Sequence, residues 1–336
     1  MTYVAEMVSM SNYNIFLKRG KCSKCHNSII IQRKYSGEEL CPTCFEKNIE
    51  RIIFKTISKY KMLQRNDKII IAVSGGKDSL TLLHNINEIQ KKRYKSEPII
   101  ALTIDEGITD YREKSIKKAE KFCKEHDIEQ KIVSFKEKMG YTLDEIIKKK
   151  KDLPDYKYAC NYCATIRRRL LNDEAKELGG TILAMGHNLT DLAETYLMNI
   201  LYKRFHLIAN QYIFKKESSE IEEFFIKKIT PLMRIPEEEI FLYANIKKID
   251  YYPSHCYYRE RDPIIRKKVL DFIQECKKSS PEIEFNLLNG FLELSAILYN
   301  QKGKNRDNRC QSCGYPCGNT QLCLFCHYKK ELNEKI

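Results

Sequence analysis

The stretch KIIIAVSGGKDS at residues 68–79 constrains the fold more than any other part of the chain. IIIAV is short, β-branched and closed off by glycines, the pattern of a strand buried on both faces of a parallel sheet. Gly75 and Gly76 permit a tight turn and close backbone approach to a ligand, and DSLTLLHNINEIQ continues with helical spacing. A strand turning through glycine into a helix N-terminus points backbone N–H groups and the positive end of the helix dipole at one spot, an anion site. Lys77 adds charge there, and Ser74 and Ser79 add hydroxyls. The spacing is not that of a Walker A loop, whose glycines stand four residues apart before Lys-Ser/Thr, nor that of the dinucleotide fingerprint.

The following chain keeps the strand–helix alternation of a doubly wound α/β sheet. PIIALTI and EQKIVSF read as further strands flanking the helix YREKSIKKAEKFCKEH. After CNYC at 160–163 come the helix ATIRRRLLNDEAKELG, the strand TILAMG and the helix TDLAETYLMNILYK. Ligands of such sheets bind at the carboxyl ends of the strands. The loop and its neighbouring strand ends are therefore the candidate nucleotide contacts: Ala72, Val73, Ser74, Gly75, Gly76, Lys77, Asp78, Ser79, Ile104, Gly186 and Asp191. Ile104 is expected to meet a base through its backbone, and Asp191 to orient magnesium or the nucleotide. The loop itself resembles the SGGxDS signature of the PP-loop ATP pyrophosphatases, which implies ATP as the bound nucleotide.

Fourteen cysteines need a separate account. The N-terminus lacks the charged, apolar and small-residue succession of a signal peptide, and no apolar run reaches the ~20 residues of a membrane span. A cytoplasmic protein with no membrane partner is expected, and reduced thiols in that compartment serve metals or sulfur chemistry better than disulfides. Cys22 and Cys25 pair with Cys41 and Cys44 across fifteen residues, and Cys310 and Cys313 with Cys323 and Cys326 across nine. Two such pairs give the closed tetrahedral thiolate set of structural zinc, so two Zn²⁺ are expected, with Cys317 and His327 as competing ligands of the second. Cys123 and Cys276 sit in helical patterns. That leaves CNYC and the solitary Cys256. The net charge of +14 favours a polyanionic partner, since each phosphate contact releases counterions. Arg167, Arg168 and Arg169, directly after CNYC, are the candidate phosphate contacts.

Taken together, SGGKDS, IDEGITDYREKS, CNYC with IRRR, GHNLTDLAETYLMNIL and DYYPSHC, set between two zinc modules, resemble the tRNA 2-thiouridine synthetases over roughly residues 20–330. The resemblance is nearest to the archaeal and eukaryotic cytosolic enzymes acting on the wobble uridine. It implies a PP-loop catalytic domain, ATP with magnesium, a tRNA substrate and a homodimer. It also implies an iron–sulfur cluster, of the 4Fe-4S type, held by three cysteines matching Cys160, Cys163 and Cys256. The implied reaction is adenylation of the uridine C2 oxygen followed by sulfur insertion, with Cys160, Cys163, Cys256 and Asp191 as catalytic residues. The sulfur donor is then free sulfide or a thiocarboxylated ubiquitin-like protein.

The residues leave open a persulfide on Cys160 or Cys163 resolved by Cys256, a cytidine-thiolating relative, and a non-catalytic tRNA-binding subunit. The family has two adjacent acids after Gly-His-Asn-x, where this chain has Thr190 and Asp191, and segment 207–228 departs from its pattern. The expected organisation is a zinc module at 1–50, the PP-loop domain at 51–230, a helical region at 231–300 carrying Cys256, and a zinc ribbon at 301–336.

Overall fold

A computed structural model describes residues 20–94, 97–153, 156–213, 223–253, 256–261, 265–301, 308–318 and 320–333. The N-terminal stretch read above for a signal peptide, and residues 214–222 of the divergent segment, lie outside them. A two-stranded ribbon, β1 (Ile31–Gln32) and β2 (Glu39–Leu40), leads into helix α1 (Pro42–Lys59). Next come β3 (Ile69–Ala72), α2 (Lys77–Ile89), β4 (Ile100–Asp105), α3 (Arg112–Glu125) and β5 (Glu129–Ser134). Helices α4 (Phe135–Met139), α5 (Leu143–Lys150) and α6 (Ala159–Glu177) precede β6 (Ile182–Ala184), α7 (Leu189–Leu201), α8 (Phe205–Ala209) and β7 (Lys227–Ile229). The chain closes with α9 (Glu237–Ile246), α10 (Tyr257–Arg261), α11 (Ile265–Ser279), α12 (Ile283–Gln301) and α13 (Leu324–Asn333). Among the described residues no helix is long and apolar enough to cross a membrane.

Five strands form one parallel sheet in the order β5-β4-β3-β6-β7. Side chains alternate across it. Ile69, Ile71, Ala101, Ile182 and Ala184 enter one core, while Ile70, Leu102, Ile104 and Leu183 enter the other. Helices cover both faces, as the sequence pattern anticipates for a doubly wound sheet. The chain leaves β3 for β4 on one side and later returns to β6 on the other. The switch point therefore lies at the carboxyl end of β3, where this topology opens a crevice.

The boundary anticipated at residue 50 falls inside α1, which runs unbroken from Pro42 to Lys59. Leu40, Phe45, Ile49 and Ile53 are fully buried and share a core with the sheet, so the first cysteine module is packed onto the catalytic domain. A buried ion pair fastens the junction. Arg33 Nη2 lies 2.6 Å from Glu239 Oε2, Tyr35 donates to Glu239 Oε1 at 2.6 Å, and both charged side chains are 2% exposed.

Candidate active site

The glycine turn is built by two opposed requirements. Gly75 has φ +86°, and a Cβ there would lie 1.9 Å from the Ser115 carbonyl oxygen, so the fold itself demands glycine. Gly76, the N-cap of α2, has φ −86°, and its Cβ would meet nothing closer than Ser74 Oγ at 3.5 Å. The fold therefore tolerates a side chain at Gly76. Ala72 ends β3, and Val73 donates its N–H to Leu102 O at 2.9 Å. Ser74 and Ser79 hydroxyls stand 3.1 Å apart, with Ser79 also donating to Gly76 O at 3.0 Å, which closes the loop on the first turn of α2. Gly186 leaves β6 so near this turn that its Cβ would come within 3.2 Å of Ser79 N.

Arg112, buried at the start of α3, staples the loop to β4. Nη1 donates to Ser74 O at 2.7 Å, while Nε and Nη2 both donate to Ile104 O. Two bonds to one carbonyl use both its lone pairs, so Ile104 O is not available to a base as an acceptor. Nε also lies 2.6 Å from Glu106 Oε2, with its N–H directed at Ile104, and this buried oxygen has a charge contact without a hydrogen bond. The motif IDEGITDYREKS contained Arg112 and Glu106, but no spacing rule assigned them a role.

Around the loop, Lys77 Nζ lies 2.7 Å from Glu237 Oε1 and 3.0 Å from Asp78 Oδ2. Asn188 donates to Asp78 Oδ1 at 3.0 Å and forms a capping box with Asp191 at the start of α7. Burial, opposed by Lys77 and reinforced by Asp191 and Glu237, pushes the Asp78 carboxyl above its ordinary range. Two carboxylates, Asp78 and Glu237, thus face the lysine of the loop, with Asp191 acting on Asp78 from beside it. Arg266 binds Asp191 at 2.8 Å and also pairs with Glu194. Thr190, standing where the family carries an acid, is buried and donates to Glu284 Oε1 at 2.8 Å.

CNYC occupies the first turns of α6, where the sequence reading had put it ahead of the helix. At 100° per residue, Cys160, Cys163 and Arg167 share one face. Burial pushes the Cys163 thiol up to about 12; Arg167 opposes this, and Glu106, Cys160 and Cys256 add negative charge from the same neighbourhood. Arg167, about half exposed, also binds Glu106 Oε1 at 3.2 Å. Cys256 immediately precedes α10, which packs on α6, and burial raises its thiol too. The segment before it is tied to the glycine turn, with Tyr252 N donating to Gly75 O at 2.9 Å. Four residues of chain then limit Cys256 to within ~14 Å of Tyr252.

The three thiols are not gathered at single-ion distance. Among the described residues only two groups are: Cys22, Cys25, Cys41, Cys44 and Cys310, Cys313, Cys323, Cys326. Zinc–sulfur bonds of ~2.3 Å give a tetrahedron with edges of about 3.8 Å. Cys25 Sγ lies 3.4 Å from Cys41 Sγ and 3.5 Å from Cys44 Sγ, and Cys313 Sγ lies 3.8 Å from Cys323 Sγ. Both sets fit one zinc ion. The expected competitors stand aside: Cys317 donates to Thr320 O at 3.0 Å, and His327 Nε2 lies 3.1 Å from Glu331. Cys160, Cys163 and Cys256 are free thiols of the soft donor type that iron–sulfur clusters take as ligands.

Of the arginine run, Arg169 is turned away from solvent phosphate. It donates to Cys313 and Cys323 Sγ at 3.6 Å, pairs with Asp173 and lies 3.8 Å over the Tyr315 ring. Arg168 is exposed and senses Arg167 and Arg266, a basic rim beside the crevice.

A nucleotide-binding crevice at the switch point of a parallel sheet, with a thiol-bearing helix beside it, defines a PP-loop protein. Residues 45–271 match the family model of the PP-loop domain. The chain is 38% identical to a probable sulfurtransferase of Methanocaldococcus jannaschii, covering 93% of this chain and 88% of that one. It is 32% identical to the tRNA-5-methyluridine(54) 2-sulfurtransferase of Pyrococcus horikoshii, over 94% and 96%. Among solved structures, the U34-tRNA thiolase NcsA of Methanococcus maripaludis, determined with its [4Fe-4S] cluster, superposes with a TM-score of 0.78. Identity there is 33%, covering 94% of this chain and 97% of that one. The chain belongs to the tRNA 2-thiolation family of PP-loop sulfurtransferases.

Proposed function

We propose that this protein is an ATP-dependent tRNA 2-sulfurtransferase acting on the wobble uridine. The observation that carries the reading is the Tyr252–Gly75 hydrogen bond, which ties the Cys256 segment to the nucleotide loop while Cys163 faces the same neighbourhood. The glycine turn and the α2 N-terminus hold the pyrophosphate of ATP, with Lys77 and Mg²⁺ neutralising it. Asp78, Asp191 and Glu237 are the carboxylates available to orient that ion. The uridine C2 oxygen attacks the α-phosphorus and pyrophosphate leaves. Sulfide then bonds to C2, the C2–O bond breaks, and AMP departs carrying the original oxygen.

Cys160, Cys163 and Cys256 would hold the iron–sulfur cluster, whose iron without a protein ligand supplies the position for sulfide. Arg167 stands four residues from Cys163 on the same helical face, placed to hold phosphate or leaving-group charge beside the reacting base. Arg168 and Arg266 extend that charge along the tRNA path. The sulfur donor is free sulfide or a thiocarboxylated carrier, the working form a homodimer, and the site of action the cytoplasm. The M. maripaludis thiolase supports position 34 and a cluster; the P. horikoshii enzyme is named for position 54.

The test is anaerobic incubation of purified protein with unmodified tRNA, ATP, Mg²⁺ and sulfide, followed by nucleoside mapping. 2-Thiouridine at position 34, with iron and acid-labile sulfide in the protein, is the expected result. Product at position 54 corrects the substrate, and full activity without iron replaces the cluster with a persulfide.

A further inference from the structure

We infer that Arg169 is a positioning residue through which the second four-cysteine centre fixes the helix that carries Cys160 and Cys163. The inference rests on the reading of that centre as zinc and of those cysteines as the sulfur site. Helix α6 is continuous from Ala159 to Glu177, so its two ends move together. Arg169 follows Cys160 by nine residues, which places it on the opposite side of the helix and about 13 Å along the axis. Cys160 and Cys163 face the crevice; Arg169 faces the ribbon.

Four thiolates on one Zn²⁺ leave a net charge of about −2, and a metal centre of that charge is held by the groups that donate to its ligands. Arg169 supplies them. Nη1 reaches both Cys313 and Cys323 at 3.6 Å, and Nη2 reaches Cys313 at 3.7 Å. Stacking at 3.8 Å on Tyr315 and the pair with Asp173 fix the plane of the guanidinium. The ribbon's own buried cluster consists of Cys310, Cys323 and Cys326; outside it Tyr315 packs on Phe224 and Phe225, and Tyr328 and Leu332 join the core around α6, so Arg169 is the contact that reaches the thiolates themselves.

A second contact from the same module grips the other end of the motif. Tyr162, between the two cysteines of CNYC, packs its ring 4.7 Å from that of Tyr328, two residues beyond Cys326, and both are buried. One module thus holds α6 at its cysteines and again at Arg169. A shift of the ribbon is therefore transmitted along the helix to the thiols.

The experiment uses the full chain with its resident metals, as wild type, Arg169→Gln and Arg169→Lys. Zinc is counted before and during exposure to EDTA, and alkylation of Cys160 and Cys163 by iodoacetamide is followed by peptide mass spectrometry. In Arg169→Gln, one of two zinc ions should leave about tenfold faster while the other stays, and Cys160 and Cys163 should be alkylated about tenfold faster. Lysine, which keeps the charge but loses the planar fork, should fall between in both readouts. Faster zinc loss with unchanged alkylation, unchanged zinc, or loss of both ions together each overturns the inference. Fewer than two zinc ions in the wild type overturns the metal reading beneath it.

Discussion

CSKC at residues 22–25 and CNYC at 160–163 share a spacing and little else. The first sits on a turn, where His26 at φ 62° and the Lys21–Ser28 bridge fold the chain back so that both sulfurs meet those of Cys41 and Cys44. The second lies in the opening turns of a 19-residue helix, which sets its sulfurs on one face but not around one point. A pair on a turn meeting a pair at a helix start, as Cys41 and Cys44 are at the head of α1, closes a four-sulfur set; among the described residues CNYC has no second pair to meet. The presence of a second pair, not the spacing within the first, separates the closed cysteine sets from CNYC here, and the surroundings differ too. Near the knuckle the charges are paired and enclosed, as Arg33 and Glu239 are, whereas the crevice holds half-exposed Arg167 and a row of carboxylates.

The sharpest way to break this comparison is to exchange the lesions. Cys163→Ser should lower 2-thiouridine formation by more than about 100-fold, beyond the 10–100-fold range of residues that merely support a ligand, while zinc stays at two per chain. Cys25→Ser should do the reverse, releasing one zinc ion and lowering the melting temperature. Zinc loss in Cys163→Ser would mean the two motifs do the same job.

Next in size is the buried pair that fastens the knuckle. Glu239→Ala leaves Arg33, 2% exposed, with half-exposed Glu38 as a counter-charge, at a cost of up to about 3–5 kcal/mol measured by urea denaturation. The crevice chemistry should survive at temperatures where the variant is folded. A selective loss of ATP turnover with stability intact would show that the junction belongs to the working site.

The glycine turn sharpens the crevice side. Gly75→Ala forces a Cβ to 1.9 Å from a backbone oxygen at positive φ and should cost at least about 1–3 kcal/mol of stability. Gly76→Ala should cost under about 1 kcal/mol, since the Cβ finds space, yet weaken ATP binding about tenfold by isothermal titration. Equal stability losses for the two would remove the reason for reading Gly76 as a ligand-facing position.

Much of this was legible in the sequence because strong local patterns did the work. IIIA, IALTID and ILA are mostly apolar runs buried on both faces. What stayed hidden depended on partners far along the chain. β7 is three residues, Lys-Lys-Ile, with both lysines exposed, so no periodicity marks it; its place comes from pairing with β6. Arg169 looked like its two neighbours and differs only because the ribbon, some 140 residues later, folds back onto it. Arg33 and Glu239 are 206 residues apart, and nothing local tells that the two are buried against each other as an ion pair.

A change of pH sets the two regions against each other by sign. In the crevice, burial pushes the Glu194 carboxyl from its ordinary 4.5 up to about 7, with Arg266 opposing and Asp191 reinforcing. The folded state then holds a proton that the unfolded chain has lost, so stability falls as pH rises from 4.5 to 7, by at most about 1.4 kcal/mol per pH unit. By the knuckle, burial raises Glu38, but Lys24 and Arg33 outweigh it and leave the carboxyl below its ordinary value. Its contribution is present above 4.5 and is lost as the pH falls through the lowered value. Comparing urea midpoints of Glu194→Gln and Glu38→Gln with wild type from pH 3 to 8 isolates each. The first substitution should remove a downward slope above pH 4.5, and the second should remove an upward slope below it. Slopes of the same sign would mean that the crevice carboxylates are paired as completely as those of the knuckle, and the distinction between an enclosed structural region and a charged working one would fail.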